Sequence, residues 1–190
     1  NSSEHIRLAG NKRRLSELLK EKEFPHVVFL RRVPENNEFP IVARDELNRG
    51  GGIGIRVIKS EEEFENGSPV LDWTPWYNFK FELGVHILGG EIVRVFKKIR
   101  EDGLDEEKYP IRNTHRGYKF SLRNNWKEVY TGLPKFVKKL YEIIPIQFAR
   151  LDVGYDESGY RLIEINSAPD LTQNENTLNM YAEFLKGKVF

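Results

Sequence analysis

The chain has 190 residues, 39% hydrophobic and 31% charged, with 12 Phe, 8 Tyr and 3 Trp. That is enough apolar bulk for one buried core, and it speaks against disorder. Thirty Lys and Arg against 29 Asp and Glu leave a net charge of +1, so no basic excess points to a nucleic-acid or membrane-surface partner. The composition has no Cys, which excludes disulfides, thiol nucleophiles and Cys-ligated zinc. No apolar run approaches the roughly 18 residues of a membrane span, and a cytoplasmic protein is the expectation. Residue 1 is Asn and the single Met is Met180, which predicts a processed or truncated N-terminus.

In chain order, Leu8, Leu15, Leu18 and Leu19 predict a helix from Ile6 to Lys22, stopped by Phe24-Pro25. Lys12-Arg13-Arg14 on it read, by themselves, as a solvated helix end. Val27–Leu30 and Phe39–Arg44 are strand candidates, followed by a glycine-rich turn, Arg49–Gly54, and a strand, Ile55–Ile58. Ser60, with Glu63 three residues on, predicts a capped helix start. Val85–Leu88 and Ile92–Phe96 flank Gly89-Gly90 as a hairpin. Arg100–Arg116 is polar and loop-like, and Leu133–Ile144 is a helix with Pro134 in its first turn. Phe148–Tyr155 and Tyr160–Ile165 are strands, and Leu178, Tyr181, Ala182 and Leu185 mark a closing amphipathic helix. The interleaving lacks a βαβ rhythm, so the fold class is α+β.

The hairpin after Ala149 carries the most chemistry. A three-residue loop, Glu157-Ser158-Gly159, makes paired positions sum to 316, so that Asp152 faces Glu164 and Arg150 faces Asn166. Ile163 and Ile165 then fill the opposite, apolar face. Two opposed carboxylates and an amide oxygen suit Mg²⁺, a hard cation that takes oxygen ligands together with substrate phosphates. A solvated polar face is the competing reading, and a loop of even length undoes the facing. The four His residues are scattered without ligand spacing. Gly50, Gly51, Gly52 and Gly54 let a backbone approach phosphate, although by themselves a flexible hairpin turn explains them better. Neither a Walker loop nor a Rossmann fingerprint fits. Lys97 and Lys98 are neighbours on a strand, so one of them points inward; Lys98 is the choice.

Taken together, these residues resemble the ATP-grasp superfamily of carboxylate–amine ligases. The likeness is nearest to the branch of ribosomal-protein glutamate ligase and glutathione synthetase, and to short phage-type proteins of this kind. Asn11-Lys12 resembles the family's opening "NK", Phe39–Arg44 its "yPvvvK" strand, Arg49–Gly54 its phosphate loop and Glu82–Ile87 its "EyRvhv". Asn113-Thr114-His115-Arg116-Gly117 is similar to N-x-H-R-G, and Asp152, Glu164 and Asn166, followed by Ser167-Ala168-Pro169, to the magnesium triad with its "N-x-x-P" ending.

The resemblance implies two α+β lobes clasping ATP, without most of the domain that usually precedes them: a helical segment 1–24, a small lobe 25–72 and a large lobe 73–190. It implies Mg²⁺ on Asp152, Glu164 and Asn166. ATP would lie on Lys12, Arg44, Gly50, Gly51, Gly52, Gly54 and Lys98, with adenine near Asp72-Trp73-Thr74 and ribose near Glu82. Arg112, Asn113 and Arg116 would serve the γ-phosphate and the acyl side. The implied reaction joins a small-molecule or peptide carboxylate to an amine through an acylphosphate. The alternatives are a non-catalytic ATP-binding structural or interaction protein and an ATP-grasp kinase. Two departures stand out: Arg44 replaces the commoner Lys, and Gly84 replaces Arg, a gap that Arg112, Arg116 or Lys98 could fill.

Overall fold

Asn11 divides the expected N-terminal helix in two. A computed structural model, which describes residues 1–45, 54–101, 111–112, 116–171 and 174–187, shows α1 (Ser3–Gly10) and α2 (Lys12–Glu21). Between them Asn11 is extended, and its side chain accepts the Arg14 N–H at 3.1 Å. Asn is a strong N-cap, so a new helix starts where the leucine stripe runs on unbroken. Leu15 and Leu19 of α2 are buried.

The first sheet is antiparallel in the order β2-β1-β3, from β1 (Ile41–Arg44), β2 (Ile55–Ile58) and β3 (Asp72–Pro75). Ile41, Ala43, Ile58 and Trp73 form its core. Residues 27–30, expected as a strand, instead link the two sheets through single bridges, His26 with Leu162 and Leu30 with Trp73. Ser60 caps α3 (Glu61–Glu65) by accepting the Glu63 N–H. The Glu63 carboxylate reaches Lys59 N at 2.8 Å, one residue short of a full capping box.

The second sheet is also antiparallel, ordered β6-β5-β4-β7-β8. It comprises β4 (Phe81–Leu88), β5 (Glu91–Arg100), β6 (Tyr118–Leu122), β7 (Phe148–Asp156) and β8 (Gly159–Asn166). The Gly89-Gly90 hairpin forms as expected, with Leu88 opposite Glu91. Between β6 and β7 lie α4 (Trp126–Val129) and α5 (Leu133–Ile143); β6 and α4 fall where the sequence reading placed no element. Strand parity sorts the side chains. Leu83, Val85, Ile87, Val95, Leu151 and Val153 pack in one core with Leu133, Val137 and Leu140 of α5. The alternate residues, Glu82, His86, Lys98, Arg150 and Asp152, face the other way, into a cleft.

The β7–β8 hairpin corrects the expected turn. Gly159, at φ 109°, opens β8 opposite Asp156, leaving a two-residue connection, Glu157-Ser158. Tyr155 then faces Tyr160 and Val153 faces Leu162, one residue off the expected register. The pairing shifts between Asp152 and Val153, with Ile163 as the extra residue, and this restores Asp152 opposite Glu164 and Arg150 opposite Asn166. The bulge also turns Ile163 into the cleft. Leu162, rather than Ile163, joins Ile165 in the core.

In α6 (Glu175–Gly187) the expected face of Leu178, Tyr181, Ala182 and Leu185 is buried at Tyr181 but not at its leucines. Thr177 and Tyr181 are buried, whereas Leu178 and Leu185 are 45% and 46% exposed. Hydrogen bonds set this rotation. The Tyr181 hydroxyl donates to the Ala149 carbonyl at 3.0 Å, and Asn174 Oδ1 accepts from both the N–H and the hydroxyl of Thr177. Among the described residues no helix is long and apolar enough to cross a membrane. Two antiparallel sheets with helices beside them make the α+β class that was expected.

Candidate functional site

A cleft of about 500 Å³ lies between the sheets. The small sheet gives it Arg44 and Thr74, α2 gives Lys12, and Arg112 lies on the wall. The large sheet gives Glu82, Lys98, Asp152, Glu164 and Asn166 from β4, β5, β7 and β8. Chain order separates these residues widely, yet parity and register bring them together.

Other expected residues lie elsewhere. Trp73 points into the small-sheet core and donates its indole N–H to the Arg32 carbonyl. Asp72 is 1% exposed and accepts from Arg13 Nη2 through both oxygens, at 2.9 and 3.0 Å. Of the expected adenine trio only Thr74 reaches the cleft, where Pro75, Trp76, Tyr77 and Phe79 continue the wall. The Arg13 contact also corrects the reading of Lys12-Arg13-Arg14 as a solvated end, which holds for the exposed Arg14 alone. Arg116 donates to the Ile55 carbonyl at 3.0 Å, and neither it nor Gly54 lines the cleft. Gly50, Gly51, Gly52, Asn113 and His115 lie outside the described residues.

The charges of the cleft are interlocked. Lys98 Nζ is 2.9 Å from Glu82 Oε2 and 3.3 Å from Asp152 Oδ2. Arg150 Nε is 2.9 Å from Asp152 Oδ1, and Lys12 Nζ is 3.1 Å from Glu164 Oε2. Burial opposes the Lys98 charge, but Asp152 and Glu82 outweigh it and raise the ammonium above its usual range. Burial likewise opposes the Asp152 charge, and Lys98 with Arg150 overcomes it, holding the carboxyl below the usual range. Arg44 differs. Its guanidinium lies 5.3 Å over the Phe29 ring, its buried Nε has no hydrogen-bond partner among the described residues, and burial lowers its pKa. A half-buried guanidinium beside a polar cleft suits an anionic ligand such as phosphate.

Two cleft residues escaped the sequence reading. Arg150 shares a strand face with Asp152, a period-two signal that was available. A Cβ at Gly84 would stand 2.9 Å from Phe120 Cε1 and 3.3 Å from Arg150 Cδ. Phe120 and the Arg150 stem thus occupy the space above Gly84, and the Arg150 guanidinium lies 4.9 Å over the Phe120 ring. Arg150 brings a guanidinium to this part of the cleft from the neighbouring strand. His86 is the second: its Nδ1 is 3.1 Å from the Tyr181 hydroxyl. That hydroxyl gives its proton to Ala149 O, so Nδ1 carries the hydrogen and donates. Burial and then the Arg150 charge push His86 down to about 4, keeping the ring neutral.

The donor set fits a hard divalent cation: two facing carboxylates and the Asn166 amide, whose oxygen also accepts the Ala168 N–H at 3.1 Å. Among the described residues no group of three His, Cys, Asp or Glu forms a metal site, so the amide is needed to complete the set.

No protein-family model and no curated protein matches the sequence. Solved structures do resemble the fold. The ATP-grasp ligase PsnB, complexed with a minimal precursor, Mg and ADP, superposes with a TM-score of 0.65 at 12% identity, over 97% of this chain and 60% of that one. D-alanine–D-alanine ligase from Bacillus anthracis gives 0.65 at 16%, over 94% and 66%. Carboxyaminoimidazole ribonucleotide synthase from Aspergillus clavatus, complexed with ATP, gives 0.61 at 17%, over 89% and 47%. The chain therefore spans less than two thirds of the length of PsnB and about half that of the synthase. Likeness across almost the whole of this chain, at identities where only architecture is shared, establishes that the protein has the ATP-grasp fold.

Proposed function

We infer that the protein is an ATP- and Mg²⁺-dependent ligase joining the carboxylate of a small molecule or peptide to an amine. The observation that carries this reading is the meeting of Asp152, Glu164 and Asn166 in the same cleft that is lined by the cations Lys12, Arg44, Lys98 and Arg112. PsnB in complex with Mg, ADP and a precursor supports the ligand classes. The nucleotide lies between a small lobe built on the β2-β1-β3 sheet, whose last strand carries the expected boundary at 72 on to Pro75, and a large lobe built on the five-stranded sheet, with adenine against the wall that begins at Thr74 and ribose near Glu82.

Asp152, Glu164 and Asn166 hold Mg²⁺, which supplies charge neutralisation on the phosphates when bound. Lys12, Arg44 and Lys98 hold phosphate oxygens, together with the glycine loop. Arg112 and Arg150, with Asn113, stabilise the charge of the transferring group. A carboxylate oxygen of the substrate bonds to the γ-phosphorus as the β,γ-bridging P–O bond breaks, giving an acylphosphate and ADP. The amine nitrogen then bonds to the acyl carbon, inorganic phosphate leaves with the C–O electron pair, and the nitrogen sheds its surplus proton to water. No covalent bond to the protein is needed.

ADP release across panels of amino acids and peptides, with and without hydroxylamine, tests this reading. An acylphosphate yields a hydroxamate; ADP without hydroxamate indicates a stable phosphorylated product instead. Glu164→Gln is the cleaner metal-site variant, because it releases one cation, Lys12, whereas Asp152→Asn removes the partner of Arg150 and one of the two partners of Lys98. Its expected effect is a loss of about a hundredfold or more in ADP formation. Undiminished turnover overturns the metal assignment.

A further inference from the structure

The carboxylates assigned to the metal already hold cations of the protein. Lys98 and Arg150 answer Asp152 from the sheet floor, and Lys12 answers Glu164. Lys12 stands apart because it comes from a helix rather than the sheet. Its backbone is fixed: Asn11 caps α2, Leu15 and Leu19 lie in the core, and neighbouring Arg13 is tied to Asp72. Its side chain is a flexible four-carbon stem with a point charge, so the ammonium can leave Glu164 without moving the helix. The described cleft wall carries five cations (Lys12, Arg44, Lys98, Arg112 and Arg150) against four carboxylates (Glu82, Asp152, Glu164 and Asp170). A lone divalent cation meets a wall whose carboxylates are largely answered; a triphosphate reverses that balance and offers Lys12 another partner.

We propose that Lys12 is a built-in competitor for the divalent cation at Glu164, so that metal settles there only with a polyanionic phosphate ligand that draws Lys12 away. This rests on the metal–nucleotide reading above and adds a coupling to it. The coupling is reciprocal, since the ligand that removes Lys12 raises metal affinity and the metal raises that ligand's affinity by the same factor.

The test is Mn²⁺ binding to the full chain, followed by calorimetry, in wild type, Lys12→Met and Lys12→Arg. The affinity of a non-hydrolysable adenosine triphosphate analogue is measured alongside, with and without Mn²⁺. Removing the competing charge should tighten binding of Mn²⁺ alone by roughly tenfold. Lys12→Arg, which keeps the charge, should bind like wild type. The gain in analogue affinity on adding Mn²⁺ should shrink in Lys12→Met. Equal, weaker or undetectable Mn²⁺ binding in Lys12→Met, with a circular-dichroism melt matching wild type, overturns the competition while a Mn²⁺-dependent analogue affinity leaves the nucleotide reading standing. An analogue that fails to bind with or without Mn²⁺ overturns the nucleotide reading and the coupling built on it. In that case tenfold tighter Mn²⁺ binding in Lys12→Met still upholds competition at Glu164.

Discussion

At position 84 the absence of a side chain is what lets two other residues work. An added Cβ meets the Phe120 ring edge at 2.9 Å and the Arg150 stem at 3.3 Å. The ring cannot simply retreat, since Arg150 lies over its face and Phe96 stands against it at 6.5 Å. Gly84 also pairs with Asp152 across β4 and β7, so a displaced Arg150 loosens its grip on that carboxylate. Gly84→Ala should therefore destabilise the protein by about 1–3 kcal/mol through overpacking, read as a lower urea midpoint. A raised midpoint would mean that the ring yields and that the entropy lost by the unfolded chain dominates. The missing family arginine was legible as a gap in a motif. That Arg150 and Phe120 fill the space above Gly84 was not, because cross-strand neighbours depend on a register that no local pattern gives.

At the scale of elements, α6 is held by polar groups where the sequence offered leucines. Tyr181 joins it to β7 through Ala149 and to β4 through His86, and this makes its docking pH-sensitive. His86 lies at about 4 in the fold against 6.5 unperturbed, because of burial and then Arg150. Between those values the unfolded chain binds a proton that the folded chain refuses. Stability is therefore full above about 6.5 and falls as pH drops toward 4, by roughly 3 kcal/mol in all. Burial lowers His26 as well, so the wild-type slope contains both groups. His86→Gln should flatten urea stability measured between pH 7 and pH 5 relative to wild type, and an unchanged slope would sink the assignment. Elements whose apolar pattern meets a plain packing surface were readable: the Gly89-Gly90 hairpin, α5, and β7 with β8. The α6 face was readable only at Tyr181, since hydrogen bonds turn Leu178 and Leu185 outward, and the break at Asn11 went unseen because the leucine period continues through it. The Asp152–Glu164 pair was found through an error that cancelled. The turn is a residue shorter than expected, and the bulge at Ile163 restores the facing.

Across the whole molecule, the two sheets are joined by a small set of ties that converge on the cleft. Residues 26–30 bridge from Leu162 to Trp73, and Arg116 reaches the Ile55 carbonyl. The first turn of α2 sends Lys12 to Glu164 in the large sheet and Arg13 to Asp72 in the small one. Lys12 and Arg13, which read with Arg14 as a solvated helix end, are thus a clasp, which sequence alone hides because charge clusters carry no sign of their partners. Arg13 is the more consequential arm for stability, since Asp72 is nearly inaccessible and would be left a buried carboxylate without its partner. Arg13→Met should cost about 2–4 kcal/mol, less than a fully buried pair because the arginine is partly exposed. Arg13→Met with Asp72→Asn should recover part of that loss by removing the stranded charge. If Arg13 ties one lobe to the other, amide exchange in Arg13→Met should accelerate first in β1, β2 and β3, while β4, β7 and β8 keep their protection. Equal acceleration in both sheets would instead show one cooperative unit, with Arg13 contributing to global stability and not to the joint between lobes.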